Sequence, residues 1–336
     1  MTPHDALDIF LRKIPSEYPK HMLCYFAALA SQGDVRPFLH GLIKTLAQID
    51  STIPGYASEM ISRLAGIEGT GEGKYESMLQ ILAEIYVTQG VVESADKKDG
   101  VIQVVHEPGT RGKKNPECEA LIAGRWCAIE VKTPKLIAHG RMRSINPWQM
   151  NVRMPAHLTR DREVTLPRDN PVKDFLCSAE EKFEDYEHFR PGAIRLLAIV
   201  WDDYCNEPIA ALKSPISGLL TSNSFHRDES GVAVKYSHID GVAVIRHQHQ
   251  IIRATREEPL LNGVTDAMKY RNDNFPFKAF IPVPGGRMVP EAVLDALNLV
   301  PLADCLGAEY QPSEMIMWVD LNDPSSQSGD GNITPT

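Results

Sequence analysis

Residues 115–132 read Asn115-Pro-Glu-Cys-Glu-Ala-Leu-Ile-Ala-Gly-Arg-Trp-Cys-Ala-Ile-Glu-Val-Lys132, two largely apolar runs that meet at Ala123-Gly124. The runs predict strands over 117–122 and 125–132, because each is rich in residues that pack well on a pleated surface. A two-residue connection that ends in glycine suits the tight turn of an antiparallel hairpin. We therefore expect this segment to form a hairpin within a larger β-sheet.

Charged side chains interrupt the apolar pattern of this hairpin at regular spacing. Glu130 and Lys132 are two residues apart, so their side chains point to the same face of the second strand. Glu117 and Glu119 share a face of the first strand in the same way, and strand pairing can bring one carboxylate from each strand together. Adjacent carboxylates repel each other, and a divalent cation such as Mg²⁺ or Mn²⁺ relieves that repulsion. A cation, carboxylates and a lysine are together suited to phosphodiester hydrolysis.

The elements on either side of the hairpin indicate an α/β protein. In chain order, apolar periodicity predicts a helix over 74–88, a strand over 101–106, the hairpin, a helix over 173–188, and strands over 194–201 and 240–246. We expect Gly90 to end the first of these helices, since glycine commonly follows a helix terminus. The expected fold class is α/β, with a central mixed β-sheet flanked by helices.

The chain divides by composition into four regions. Residues 1–72 predict a group of helices punctuated by proline and glycine, and this helical N-terminal region is a candidate for forming a homodimer. Residues 73–250 form the predicted core, with a polar and basic insertion at 134–172 that we expect to be irregular. Residues 251–321 predict a C-terminal α/β extension, and the Ser-, Asp- and Gly-rich residues 322–336 predict a disordered tail.

The motif Pro-Glu-Cys-Glu in the first strand of the hairpin, followed by Glu-Val-Lys in the second, resembles that of the PD-(D/E)xK nuclease superfamily. Members share the restriction-endonuclease-like fold, whose core is a helix, three meandering strands, a helix and a strand, in the order predicted here. The resemblance implies that Glu130 and Lys132 are the E-x-K element. It maps the acid that opens the second core strand to Glu117, which follows proline, or to Glu119, which precedes apolar residues. The superfamily usually has aspartate at this position, where this chain has glutamate.

The resemblance also implies a set of site residues. Many members carry a glutamate on the helix before the first core strand, a position that Glu76 or Glu84 matches, and Gln149 is a weaker match to a glutamine that follows the motif in some members. The implied cofactor is Mg²⁺ or Mn²⁺. The implied catalytic residues are Glu117, Glu119, Glu130 and Lys132, and the implied metal ligands are Glu76, Glu84, Glu119 and Glu130.

The distribution of charge bears on nucleic acid as a partner. The net charge of -9 argues against a general nucleic-acid coat protein, because basic surfaces are the usual signature of such proteins. Residues 97–173, however, contain 15 Lys or Arg and 8 Asp or Glu, a net of +7, and the remainder contains 20 and 36, a net of -16. The basic surplus surrounds the motif and predicts DNA binding through the phosphate backbone. The candidate DNA contacts are Lys113, Lys114, Lys135, Arg141, Arg143 and Arg153.

Other features narrow the class of protein. No apolar segment approaches the ~20 residues of a membrane helix, and no secretory signal opens the chain, so we expect a cytoplasmic protein without a membrane partner. The six cysteines lack metal-site spacing and are typical of reduced core thiols. His238, Asp240, His247 and His249 alternate near a predicted strand and form a weaker candidate for a metal site.

These patterns lead to one main hypothesis and one alternative. The main hypothesis is a Mg²⁺-dependent endonuclease that hydrolyses DNA phosphodiester bonds, in restriction, phage defence or repair. The alternative is a non-catalytic nucleic-acid-binding or effector module that keeps the nuclease fold, which the glutamate in place of aspartate makes reasonable.

Overall fold

A computed structural model describes residues 1–109, 114–145, 148–153, 165–271, 276–313 and 315–317. Its helices are α1 (Pro3–Lys13), α2 (Cys24–Ser31), α3 (Pro37–Asp50), α4 (Tyr56–Ala65), α5 (Glu72–Ser94), α6 (Ile137–Ile145), α7 (Asp169–Phe189), α8 (Asn206–Lys213), α9 (Gln248–Thr255) and α10 (Glu291–Ala296). Its strands are β1 (Lys97–Lys98), β2 (Val101–Ile102), β3 (Val104–His106), β4 (Cys118–Ile122), β5 (Arg125–Lys132), β6 (Trp148–Met150), β7 (Ile194–Trp201), β8 (Gly241–Arg246), β9 (Lys278–Pro282), β10 (Leu299–Pro301) and β11 (Met315–Met317). The tail predicted over 322–336 lies outside the described residues.

A seven-stranded mixed sheet is the centre of the protein, in the order β10-β9-β8-β7-β5-β4-β3. Strands β3, β4 and β5 form an antiparallel meander, while β5, β7 and β8 run parallel to one another. Strand β9 is antiparallel to β8, and β10 is parallel to β9. The predicted α/β class, with a mixed central sheet and flanking helices, is confirmed.

The predicted hairpin is formed by β4 and β5. Cys118 pairs with Ile129 and Ile122 pairs with Arg125. The φ angles of Ala123 and Gly124 are 48° and 71°, so both turn residues are left-handed, as a tight turn between twisted strands requires. The second strand has the predicted bounds, and the first begins one residue later than predicted, at Cys118.

Two long helices cover opposite faces of the sheet. Ile129 and Val131 belong to the core that includes the apolar residues of α5, whereas Ala128 belongs to a second core with Leu176 and Phe183 of α7. All eight residues of β7 are buried, as expected of a central strand covered on both sides. The alternating side chains of β5 therefore direct Glu130 and Lys132 towards the α7 face.

Helix α5 is longer than predicted. It continues through Gly90 to Ser94, so the prediction that Gly90 ends this helix is wrong. A Cβ atom at Gly90 would lie 2.3 Å from Cγ of Tyr270, so the position requires glycine for close packing against that ring. The cost of glycine inside a helix, about 1 kcal/mol relative to alanine, is offset by this close approach.

Three segments differ from their predicted structure. The insertion at 134–172, predicted to be irregular, contains α6 and β6, and β6 pairs with β11. The strand predicted over 101–106 is divided, because β2 pairs with β1 while β3 joins the main sheet. After residue 251, β9 and β10 extend the same sheet.

Among the described residues, no helix is both long and apolar enough to cross a membrane.

Candidate active-site cleft

A polar cleft of about 330 Å³ lies between α5, the outer end of the hairpin and α7. Its polar lining residues include Gln80, Glu84, Glu117, Lys132, Asp174 and Ser178. Two of the predicted catalytic residues, Glu117 and Lys132, thus line the same cleft as Glu84, which was predicted as a metal ligand. Because this feature is the candidate active site, we call it the catalytic cleft.

The hairpin register brings the two central carboxylates together. Because Cys118 pairs with Ile129, the next residues outward, Glu117 and Glu130, lie opposite each other on adjacent strands. The Glu130 side chain is 0% exposed, and its Oε1 lies 2.6 Å from Nζ of Lys132. Burial raises the pKa of Glu130, and Lys132 is the strongest influence in the opposite direction.

Lys182 of α7 is a site residue that the sequence patterns did not identify. Its Nζ donates to Oε2 of Glu130 at 2.9 Å and lies 3.4 Å from Oε1 of Glu117, so the ammonium bridges the two carboxylates. Helix α7 carries a buried apolar stripe that includes Ala179 and Phe183, and Lys182 lies beside it. A lysine next to a buried stripe is the only sequence signal that could have indicated this position, and such lysines usually extend to solvent.

Glu84 is the third carboxylate of the cleft. Burial, followed by the negative charge of Glu117, raises the pKa of Glu84 to about 8. Arg63 of α4 opposes this effect, since its Nη2 lies 2.7 Å from Oε2 of Glu84. A carboxyl group held partly protonated in this way is available to become charged when a cation approaches.

The raised pKa of Glu84 predicts a pH-dependent stability. Its folded value of about 8 lies above the ordinary value of 4.5, so the folded state binds the proton more tightly. The free energy of unfolding should therefore fall as the pH rises between these values. Glutamine at position 84 resembles the protonated acid, so the Glu84→Gln variant should not lose stability through this group as the pH rises. Without divalent cations, we expect the variant and wild type to melt alike near about pH 5 and the variant to melt higher near about pH 9. Equal melting temperatures at both pH values would contradict the prediction.

Glu119, predicted to share a metal with Glu130, is not among the residues that line the catalytic cleft and is paired with other side chains. Its carboxylate forms a bidentate pair with Arg190, at 2.7 Å from both Nε and Nη2, and accepts a hydrogen bond from the Tyr186 hydroxyl. The Arg190 guanidinium also lies 3.9 Å above the ring of Trp126. Glu119 is 1% exposed and fully occupied by these partners, so Glu117 is the acid of the first strand that reaches the cleft.

Glu76 and Gln149 also have roles outside the cleft. Oε1 of Glu76 accepts a hydrogen bond from the backbone N–H of Ile137 at 3.2 Å, where α6 begins. Gln149 is buried and donates to Glu207, and its Oε1 lies 3.2 Å from Nε2 of His139. Of the two glutamates predicted on α5, Glu84 is therefore the one that lines the cleft.

The predicted DNA contacts differ in how they are held. Lys135 is exposed, Lys114 and Arg141 form exposed ion pairs with Glu181 and Glu72, and Arg153 forms a bidentate pair with Asp169. Lys113 and the Arg143 side chain lie outside the described residues. The exposed ion pairs cost little to exchange for phosphate, whereas the Arg153 guanidinium is committed to a buried carboxylate.

The weaker histidine pattern does not form a cluster. His247 stacks on Tyr86, with ring centroids 3.8 Å apart, and its Nε2 lies 2.7 Å from the carbonyl oxygen of Ala267. Asp240 is paired with Arg195, and His249 lies in α9, not in a strand. The prediction that these residues alternate on one strand face is wrong, because β8 ends at Arg246 and a helix follows.

Comparisons with protein-family models, curated proteins and solved structures find no match for this chain.

Proposed function

We propose that the protein is a metal-dependent nuclease that hydrolyses DNA phosphodiester bonds. The observation that carries the proposal is that Glu117 and Lys132 line one open cleft, with the buried Glu130 carboxylate directly behind them, 2.6 Å from Nζ of Lys132. The order of elements around it, a helix, an antiparallel three-stranded meander, a helix and a parallel strand, agrees with a PD-(D/E)xK assignment.

The donor set of the cleft fits a hard divalent cation. Glu117 and Glu130 would hold Mg²⁺ or Mn²⁺ through carboxylate oxygens, with Glu84 close enough to share the charge. The bound cation would supply Lewis-acid activation of water and of the scissile phosphate. Its entry requires the Lys182 ammonium to leave its position between Glu117 and Glu130.

The residues of the chain then have separate tasks. Lys132, whose side chain is 22% exposed, reaches the cleft and can orient a water molecule or donate to the phosphate as negative charge develops. The buried Glu130 carboxylate keeps the Lys132 ammonium in place. Lys135, Lys114 and Arg141 lie at the surface, where they can hold the DNA backbone without reading its sequence.

The test is cleavage of supercoiled and linear DNA by the full chain in Mg²⁺, in Mn²⁺ and in EDTA. We expect cleavage with either metal and none in EDTA, since the proposed reaction needs a Lewis acid to activate the water and the scissile phosphate. Failure to cleave either DNA form with either metal, under conditions in which calorimetry detects no Mg²⁺ binding, would contradict the proposal.

A second candidate function, a non-catalytic DNA-binding or effector module, is favoured by Lys182. Its ammonium already neutralises the carboxylates that a metal would share. Under this alternative, wild type and Lys182→Met would both bind DNA without cleaving it. Under the nuclease proposal, wild type cleaves DNA. Lys182→Met lacks the ammonium that competes with the metal, so this variant binds Mn²⁺ more tightly than wild type does.

A further inference from the structure

A second group of metal-ligating side chains lies outside the catalytic cleft. It combines Glu59 of α4 with His106 at the end of β3 and with Glu107, the next residue along the chain. One potential ligand atom from each residue lies within 4.8 Å of the other two. None of the three was singled out by the sequence motifs, because they come from elements that meet only in the folded protein.

The His106 imidazole is the feature that points to a ligand. Its side chain is only 10% exposed, and its Nδ1 lies 3.6 Å from Oε2 of Glu59, beyond hydrogen-bond distance. Within the described part of the chain, the polar contact given for the ring is this approach to Glu59, and the ring also packs edge-on against Tyr56 with centroids 4.9 Å apart. A nine-tenths-buried imidazole is thus aimed at two carboxylates without reaching hydrogen-bond distance of Glu59, and a cation between the ring and the carboxylates would bind all three groups.

The nearby cation of α4 does not fill this role. Arg63 lies one helical turn after Glu59, but its guanidinium is paired with Glu84 at 2.7 Å. The backbone N–H of Glu107 donates to the carbonyl oxygen of Glu117 at 2.9 Å, which fixes the main chain at this point while leaving its side chain exposed. The two glutamate side chains are exposed and can turn towards a common ion, and the ring packed on Tyr56 supplies the fixed ligand.

We propose that Glu59, His106 and Glu107 bind a transition-metal dication of the Zn²⁺ type. One imidazole nitrogen and two carboxylate oxygens match a three-ligand zinc site that keeps its fourth position for water, with bonds of about 2.0–2.2 Å. The all-oxygen donor set of the catalytic cleft selects harder cations, so the two sites differ in metal preference. This site does not depend on the nuclease proposal.

Cobalt provides the probe, because a four-coordinate Co²⁺ ion with a nitrogen ligand absorbs visible light far more strongly than an octahedral ion bound by oxygen. We expect wild type and Glu130→Gln to develop the same strong band on titration with Co²⁺, which Zn²⁺ removes. Glu59→Gln and His106→Gln should lose the band and bind Zn²⁺ more weakly by about tenfold or more in calorimetry. Glu229→Gln, an exposed glutamate far along the chain, serves as the matched control.

The outcomes separate this proposal from the nuclease proposal. Glu59 is 48% exposed, so Glu59→Gln should fold normally. This holds even if His106→Gln is destabilised because it loses the contact between the imidazole and Tyr56. A band that persists in Glu59→Gln, disappears in Glu130→Gln, or never forms in wild type would overturn the second site. None of these results depends on whether the protein cleaves DNA.

Discussion

Replacing Lys132 with methionine is expected to slow Mg²⁺-dependent DNA cleavage by about 10²- to 10⁴-fold, the usual contribution of a positioned acid–base group. Methionine keeps most of the side-chain volume but removes the ammonium that faces the cleft. The fold should survive, because Glu130 retains its second partner, Lys182, at 2.9 Å. The measurement is the initial rate of cleavage of plasmid DNA at saturating Mg²⁺, together with the melting temperature of each protein.

A matched lysine separates this effect from a general loss of positive charge. Lys44 is an exposed residue of α3, and Lys44→Met removes the same charge far from the hairpin in sequence. We expect its cleavage rate to match that of wild type. Equal rates for Lys132→Met and Lys44→Met would show that Lys132 has no part in the reaction.

Replacing Arg190 with methionine is expected to lower the free energy of unfolding by about 3–5 kcal/mol, the cost of leaving one member of a buried ion pair without its partner. Glu119 is 1% exposed and loses two hydrogen bonds of 2.7 Å, while Trp126 loses the guanidinium above its ring. Urea unfolding measures the change.

The control for this prediction is Arg12→Met. Arg12 is an exposed residue of α1 whose Nε donates to the carbonyl oxygen of Asp8, and its replacement should change stability by less than about 0.5 kcal/mol. The Arg190 variant should still cleave DNA at a rate close to wild type per folded molecule, because Arg190 and Glu119 do not line the catalytic cleft. A loss of activity without a loss of stability would mean that Glu119 acts in catalysis after all.

The hairpin and its sheet were predictable because their signals are local. Alternation within 125–132 determines that Glu130 and Lys132 share a face, and the Ala123-Gly124 turn determines which strand ends meet. These features depend on residues that are neighbours in sequence. The same holds for the buried strand β7, whose continuous apolar sequence required cover on both faces.

The choice between Glu117 and Glu119 could not be made from the hairpin alone. Both point to the α7 face, and they differ only in what α7 places opposite them. Arg190 and Tyr186 meet Glu119, whereas Lys182 meets Glu117, and these partners lie more than 60 residues away in sequence. Which acid is held structurally and which reaches the cleft is decided by this packing.

Gly90 illustrates the same limit in a helix. Glycine is typical of a helix terminus when only neighbouring residues are considered. In the folded protein, the ring of Tyr270 occupies the space where a side chain of residue 90 would lie, and the helix continues to Ser94. The strands after residue 251 were also not predicted as part of the main sheet, because pairing between β8 and β9 spans a long segment that includes α9. Tertiary contacts outweighed local preference in both cases.

The Lys182 ammonium between Glu117 and Glu130 has a consequence for how the protein is made. A chain that supplies its own counterion can fold around buried carboxylates without waiting for a metal, unlike domains whose folding free energy comes from the ion. Any divalent cation that binds the two glutamates would do so by exchange with this side chain. The occupancy of the cleft would then follow the free concentration of the metal, and the fold itself would persist in either state.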